Sequence, residues 1–408
     1  MTPSSQILIL TEDSKPQKGG IAEFLHNFSL ALSKYFPVKI ITSCASASAY
    51  SQMPSLAYEE VKWFRSQFAM RGDNKPFVHK INTLKWLMKK KSYAKEQLVL
   101  ALNGETKKKV IIFRLSDVTH PWCQGCRELG IPYTVVAHGK EFLESHHFIK
   151  RFHLIQDLRM ADRVFANSNA TRELVQTLGV SPSRVTRVVI GVEPNRFLEM
   201  NTDKKRKIKS QLNFCDKPFI FSLCCLIPRK GIDLAIRVFS EIATSYPHLG
   251  YVIGGMGPEY DRLKGLADEL GVASRVHFVG AIDDDAKHVL FSECQFFVLP
   301  NRRLKTDMEG FGIVFLEAAL YGKTSIGGNN GGVPDAIQHD LTGLLVDTER
   351  GHEDLAKAMR QLLIHPDFAK QLGEQAKKRV LSDFNSKKMI APFLEYFLDA
   401  NQESLKSS

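Results

Sequence analysis

No stretch of this chain approaches the roughly 20 consecutive apolar residues that a membrane-spanning helix needs. Its hydrophobic fraction, 44% of 408 residues, is nevertheless that of an ordinary globular protein. The one early apolar run, Ile7–Leu10, leads straight into Thr11-Glu12-Asp13. That is too short and too acidic to read as a secretory signal, so a cytoplasmic location is expected. No segment repeats with a period of about 20–50 residues, which excludes a solenoid. The seven cysteines are odd in number and scattered, so reduced, buried thiols are expected. Cys123-Gln-Gly-Cys126 has redox or metal spacing with His120 nearby. It lacks the second pair that a structural zinc site requires, and helix-packing cysteines are the plainer reading. A third glycine is missing from Gly254-Gly-Met-Gly-Pro-Glu259, so no register satisfies Gly-x-Gly-x-x-Gly. That counts against a nicotinamide oxidoreductase.

The charge is not balanced. Lys and Arg outnumber Asp and Glu by 11, yet no nucleic-acid motif or basic stripe interleaved with aromatics is present. A polyanionic substrate or an anionic membrane surface fits this excess better than nucleic acid. The basic residues concentrate between Lys75 and Lys109, including Lys89-Lys-Lys91 and Lys107-Lys-Lys109. Ile81, Leu84, Leu87 and Met88 fall on one helical face there, with Trp86 at its side, and Trp63, Phe64, Phe68 and Met70 lie upstream. Two readings of the region stand: a basic amphipathic helix in a membrane interface, or the solvated face of a packed helix.

Short apolar runs alternate with longer amphipathic segments, the pattern of parallel sheets wrapped by helices. Strands are predicted at Ile7–Leu10, Val38–Thr42, Val110–Phe113, Tyr133–Ala137, Val164–Ala166 and Val185–Ile190. A second set is predicted at Phe219–Leu223, Tyr251–Ile253, Val276–Val279, Phe296–Leu299, Thr324–Ile326 and Leu344–Val346. Ile21–Tyr35 reads as the first helix. Ser168 reads as the N-cap of a helix over Ala170–Leu178 that ends at Gly179. The polar, lysine-rich stretch Asp203–Lys209 reads as a linker. At this length two domains are expected: an amino-terminal one over 1–200 that regains a final helix within 384–408, and a second over 201–383. Two Rossmann-like domains facing a cleft would carry their ligand groups at the carboxyl ends of the strands.

The notable loops fall at those ends. Gly19-Gly20 opens the first helix, where glycine lets the backbone approach a ligand and a helix start presents N–H groups to a diphosphate. A plain strand-to-helix turn would use the same residues. His138, with Gly139 and Glu141, ends another strand and suits either a sugar hydroxyl or a structural bond. Arg229 and Lys230 set a guanidinium fork beside a point charge ahead of Gly231, a diphosphate clamp needing no metal. Gly255 and Met256 sit where a nucleoside would lie. Glu309 and Glu317 are eight residues apart, about 800° of helical rotation. With a loop in front, Glu309 sits on the turn and Glu317 on the helix. Phe311, Gly312 and Ile313 then offer backbone N–H groups at its N-terminus. Ordinary capping by acidic residues is the plain alternative.

Taken in order, Gly19-Gly20, His138-Gly139, Ala166-Asn-Ser168, Arg229-Lys-Gly231, Gly254-Gly-Met-Gly-Pro258, Glu309-x7-Glu317 and Gly331-Gly-Val-Pro334 resemble the family-4 retaining glycosyltransferases of GT-B fold. The resemblance spans about residues 6–400, and its second half is the more specific. It implies a metal-independent hexosyltransferase without a cofactor. Such an enzyme moves a sugar from a UDP- or GDP-sugar to a glycan or lipid-linked acceptor in cell-surface polysaccharide, lipopolysaccharide or glycolipid synthesis. It further implies donor binding by the second domain and acceptor binding by the first. Gly20, Arg229 and Lys230 would hold the diphosphate. Glu309, with the Phe311 and Gly312 backbone, would hold the sugar, Glu317 the ribose, and His138 the sugar in the transition state. Many members carry Gly-Arg-Leu where this chain has Cys224-Cys225-Leu226, and Arg229 is the residue that stands ready to replace that arginine. The departure leaves one alternative open, a sugar-nucleotide-binding protein of the same shape with lapsed catalysis.

Overall fold

The structure, a computed structural model, describes residues 6–13, 19–42, 56–60, 91–102, 109–143, 148–193, 200–211, 217–349 and 352–406. The chain forms two compact units, residues 1–191 with 386–408, and residues 192–385. Most of the basic stretch expected over 75–109 lies outside the described residues.

Unit 1 runs β1 (Ile7–Thr11), α1 (Gly20–Leu32), β2 (Val38–Thr42), β3 (Leu56–Glu60), α2 (91–102), β4 (Lys109–Phe113), α3 (His120–Glu128), β5 (Tyr133–Ala137), α4 (Phe148–Met160), β6 (Arg163–Ala166), α5 (Asn169–Thr177) and β7 (Val185–Arg187). The strands make one parallel sheet in the order β3-β2-β1-β4-β5-β6-β7. β1, β4 and β5 bury nearly every side chain, as strands covered by helices on both faces must, which is why they read as unbroken apolar runs. On α2, Ala94, Leu98, Ala101 and Leu102 are buried together, a helical stripe against the core. Cys123 and Cys126 lie in that core as free thiols, and burial pushes Cys126 up to about 12. Ser168 caps α5 as its sequence predicts, its Oγ accepting the Thr171 N–H at 3.1 Å. Two details depart from expectation. β3, Leu-Ala-Tyr-Glu-Glu, carries too little apolar residue to announce itself, and as an edge strand it needs less. β7 ends at Arg187, three residues short of the expected strand, and the Val188 N–H makes the last bond of its ladder to the Ala166 carbonyl at 2.8 Å.

Unit 2 runs α6 (Thr202–Gln211), β8 (Phe219–Leu223), α7 (Ile232–Ala243), β9 (Gly250–Gly254), α8 (Tyr260–Glu269), β10 (Val276–Gly280), α9 (Asp284–Glu293), β11 (Phe297–Leu299), α10 (Ile313–Leu320), β12 (Ser325–Gly328), α11 (Val333–Ala336), β13 (Leu344–Val346), α12 (Glu353–Ile364) and α13 (Pro366–Asp383). Its parallel sheet has the order β10-β9-β8-β11-β12-β13. The stretch expected as a linker at Asp203–Lys209 is helix α6 instead. Its lysines are good helix formers, Asn201 Oδ1 accepts the Asp203 N–H at 2.8 Å, and Lys205 and Lys209 pair with Glu293 of α9.

The last helix, α14 (Ser386–Lys406), belongs to unit 1. Phe393 stacks on Phe165 of β6 at 3.8 Å and packs on Phe28 of α1 at 4.6 Å between ring centroids.

In each sheet the strand order turns back once. β1 lies between β2 and β4, and β8 lies between β9 and β11. Diverging crossovers open a crevice at the carboxyl ends of such a strand pair, the place where open α/β sheets hold ligands. The loops after β1 and β4, and those after β8 and β11, therefore position the chemistry.

Candidate functional site

In unit 2 the two loops at the switch point meet on one carboxylate. Arg229 and Lys230 follow β8 in a single 3-10 turn, and Glu309 sits in the loop between β11 and α10. Glu309 Oε2 accepts from Arg229 Nη1, Lys230 Nζ and Asn301 Nδ2, each at 2.5 Å. Arg229 Nε also donates to Asp307 Oδ2 at 2.8 Å. Burial opposes the Glu309 charge, yet Lys230 and Arg229 overcome it and hold the carboxyl below its ordinary range. Burial likewise works against the Arg229 charge, and Glu309 and Asp307 more than restore it. The guanidinium expected to clamp a diphosphate is thus buried and spends two of its donor groups on carboxylates.

Glu309 precedes α10, and Glu317 lies on that helix with Oε1 2.8 Å from Lys287 Nζ of α9. The eight-residue spacing accordingly puts one carboxylate on the loop and the other on the helix. Gly312 is the N-cap, with φ 90°. From there the first-turn N–H groups precede the i→i−4 ladder, and the Phe315 N–H donates to the Gly312 carbonyl at 3.0 Å. Phe311 is anchored by its ring, which packs on Phe384 at 5.8 Å. Ile313 opens the helix half-buried.

Glycines let these loops close on each other. Gly331 has φ 55°, and a Cβ there would stand 2.4 Å from the Glu309 carbonyl oxygen. Gly255, φ 120°, would drive a Cβ to 1.8 Å from the Cys224 carbonyl oxygen. Gly255 thereby fixes the loop after β9, where the neighbouring Met256 is exposed and its carbonyl accepts the Leu226 N–H at 3.0 Å. Cys225, at the position of the family's arginine, is exposed, whereas burial pushes Cys224 up to about 12.

Unit 1 carries a second group at its own switch point. His138 ends β5 and is buried against the rings of Phe24 and Phe113, at 5.9 and 5.4 Å. Burial, helped by the Arg114 charge, pushes its imidazole down to about 3. Its backbone N–H donates to Glu141 Oε1 at 2.8 Å. Glu141 is also buried, and burial pushes its carboxyl up to about 7. Arg114, just past β4 with φ 81°, donates to both oxygens of Asp13 at 3.1 and 3.0 Å and lies 3.3 Å from Glu12. Gly19, φ 152°, and Gly20 open α1, the helix that bears Phe24.

Sequence reasoning singled out His138, Arg229, Lys230, Glu309 and Glu317, of which the structure brings Arg229, Lys230 and Glu309 together. It missed Asn301, Asp307 and Lys287 around the carboxylates of unit 2, and Asp13, Arg114 and Glu141 in unit 1. Glu12-Asp13 directly after an apolar strand, and Arg114 directly after another, are the signal available for the second set.

Two family models cover most of the chain: Glycosyltransferase Family 4 matches residues 18–196, and Glycosyl transferases group 1 matches residues 203–379. A GDP-mannose-dependent alpha-(1-6)-phosphatidylinositol monomannoside mannosyltransferase of Mycobacterium tuberculosis is 32% identical over 50% of this chain. That match spans about half, 54%, of the relative's own length. A GDP-mannose-dependent monoacylated alpha-(1-6)-phosphatidylinositol monomannoside mannosyltransferase of Corynebacterium glutamicum is 24% identical over 94% of this chain and 96% of its own. The crystal structure of Anabaena HepE in complex with UDP shares the fold, with TM-score 0.71 and 18% identity, over 99% of this chain and 100% of that one. With its two parallel α/β units and its matches to both family models, the chain belongs to the family-4, group 1 glycosyltransferases of GT-B fold.

Proposed function

We propose that this protein transfers a hexosyl group from a nucleoside-diphosphate sugar to a hydroxyl of a glycan or lipid-linked acceptor, with retention at the anomeric carbon. The observation that carries the reading is the convergence of Arg229, Lys230 and Asn301 on the single oxygen Oε2 of Glu309. A carboxylate fixed in this way leaves Oε1 to accept from a hydroxyl of the transferred sugar. Lys230 and the first-turn amides of α10 supply positive potential for the diphosphate. Glu317, balanced by Lys287, accepts from the ribose diol. Met256 and the residues after β10 border the nucleobase. Arg229 acts through Glu309 as a positioning residue, so Lys230 carries the phosphate contact that the family divides with the arginine absent at Cys225.

In the transfer itself, the bond from the anomeric carbon to the β-phosphate oxygen breaks. The acceptor oxygen bonds to the same face, and its proton passes to the departing phosphate oxygen. Lys230 and the amides stabilise the charge that grows on that phosphate. In unit 1, His138 is neutral because it is buried. GDP-mannose and a lipid-borne mannose acceptor are the substrates in the names of the two mannosyltransferases, and we infer the same class of donor and acceptor here. Action at the cytoplasmic face of a membrane follows from a lipid acceptor and the +11 charge. It is also supported by Phe148, Ile149 and Phe152, exposed on α4 beside Lys150 and Arg151.

The test is a thermal-shift panel of UDP, GDP, ADP and their sugar conjugates, with and without EDTA. A shift with one diphosphate that resists EDTA and disappears in Lys230→Ala is the expected result. No shift with any of them, well above millimolar concentration, would move the protein to the lapsed-catalysis reading.

A further inference from the structure

One residue of α13 grips the loop that bears Glu309 from two sides. On the first side the loop is tied to α11. The Gly332 N–H donates to the Glu309 carbonyl at 2.8 Å. A Cβ at Gly332 would stand 2.1 Å from the Gly310 carbonyl oxygen, so the two backbones touch. α11 is a single turn, and its last carbonyls have no helical N–H to accept from. Arg379 supplies the donors. Its Nη1 donates to the Ala336 carbonyl at 2.7 Å and its Nη2 to that of Asp335 at 2.8 Å.

On the second side the loop is tied to Phe384. The Phe311 ring, two residues past Glu309, packs on Phe384 at 5.8 Å, and both rings are buried. The Arg379 guanidinium lies over that same Phe384 ring, 4.8 Å from its centroid. The platform beneath is firm. Leu372, Ala376 and Val380 bury one face of α13, and a Cβ at Gly373 would lie 2.0 Å from the Gly322 carbonyl oxygen, just past α10. A planar guanidinium offers two donors and a stacking face together, which an ammonium does not.

Resting on the glycosyltransferase reading above, we propose that Arg379 is a positioning residue for the sugar half of the donor. It acts through α11 and Phe384 on segment 309–311, and so sets where Glu309 Oε1 and the neighbouring amides stand. Every contact in this chain lies within unit 2. Lys230 on its own turn and Glu317, held by Lys287, have other supports. The nucleotide half of the donor therefore depends little on Arg379.

The full-length protein is tested by hydrogen exchange without ligand. It is then titrated with the nucleoside diphosphate that shifts its melting and with the sugar conjugate of that diphosphate. Arg379→Met keeps the length of the side chain and removes its donors and charge. Exchange is expected to quicken about five-fold or more over 309–316 and 330–337, and to stay unchanged over 219–254. Affinity for the sugar conjugate is expected to fall about ten-fold or more, because small displacements of positioning groups are costly. The bare diphosphate should lose much less. Arg379→Lys restores one donor and is expected to recover part of the loss. Phe384→Leu severs the second side alone, and should quicken exchange over 309–316 but not over 330–337. That variant carries the test if Arg379→Met does not fold. Equal weakening of the two ligands, or exchange that rises throughout unit 2, makes Arg379 a residue of the fold only and overturns the proposal. So does unchanged exchange in both segments. A wild-type protein that binds no nucleotide counts against the donor reading, and the exchange result still decides whether Arg379 holds the loop.

Discussion

At the scale of single residues, the proposed donor site is a problem in buried charge. Glu309 satisfies two cations and an amide with one oxygen. Removing a member of such a set strands the others. Glu309→Ala leaves Arg229 and Asn301 buried with partners lost, and it is expected to lower stability by about 3–5 kcal/mol and sugar transfer by at least 100-fold. Chemical denaturation and donor turnover measure the two effects. A variant that keeps wild-type stability would show that the cluster is not load-sharing in solution. The residues of unit 1 titrate in opposite directions. Glu141 rises from 4.5 to about 7, so it holds its proton more tightly when folded. That stabilisation is complete below about pH 4.5 and is lost as pH climbs through 7, a change on the order of 3 kcal/mol. His138 falls from 6.5 to about 3, so its contribution is present above pH 6.5 and lost toward 3. Glu141→Gln should therefore flatten the fall in urea midpoint between pH 5 and 8. An identical pH profile in wild type and variant would contradict it.

At the scale of elements, the glycine-rich loops do a packing task before any binding task. Gly331 sits against the carbonyl of Glu309, and Gly255 against that of Cys224, closer than any Cβ permits. The loops after β9 and β12 thus hold the loops that bear the site. Gly331→Ala combines a positive φ with a clash against backbone that no rotamer relieves. We expect a loss of about 2 kcal/mol or more and at least ten-fold weaker nucleotide binding, read by denaturant midpoint and titration calorimetry. Retained affinity would mean the loops move without cost. Much of this level was legible beforehand. Strand cores such as Ile7–Leu10 and Phe219–Leu223 declare themselves because a sheet covered on both faces has no polar side. The edge strand β3 and the helix α6 did not, since one is weakly apolar and the other gains its partners from α9.

For the whole molecule, charge is the property that composition alone supplies. An excess of 11 positive charges predicts sedimentation with anionic liposomes that weakens steeply as salt shortens the screening length. Replacing Lys89, Lys90 and Lys91 with alanine should reduce the bound fraction at least three-fold. Binding that ignores both salt and these lysines would sink the membrane reading and leave the transferase reading intact. Among the described residues no helix is long and apolar enough to cross a membrane.

The sequence by itself determined the class of fold and the alternation of elements, and it named most residues of the proposed donor site. Period, strand-end glycines and motif spacing are local quantities, and each survives in a string of letters. The tertiary structure decided which charges meet. Arg229 reads as a phosphate clamp beside Lys230, but folding brings it to 2.5 Å from Glu309, 80 positions away, and to 2.8 Å from Asp307. Asp13 and Arg114 are 101 positions apart and join only because β1 and β4 are neighbours in the sheet. Electrostatics depends on distance in space, which strand order sets, and strand order is not written in any one segment.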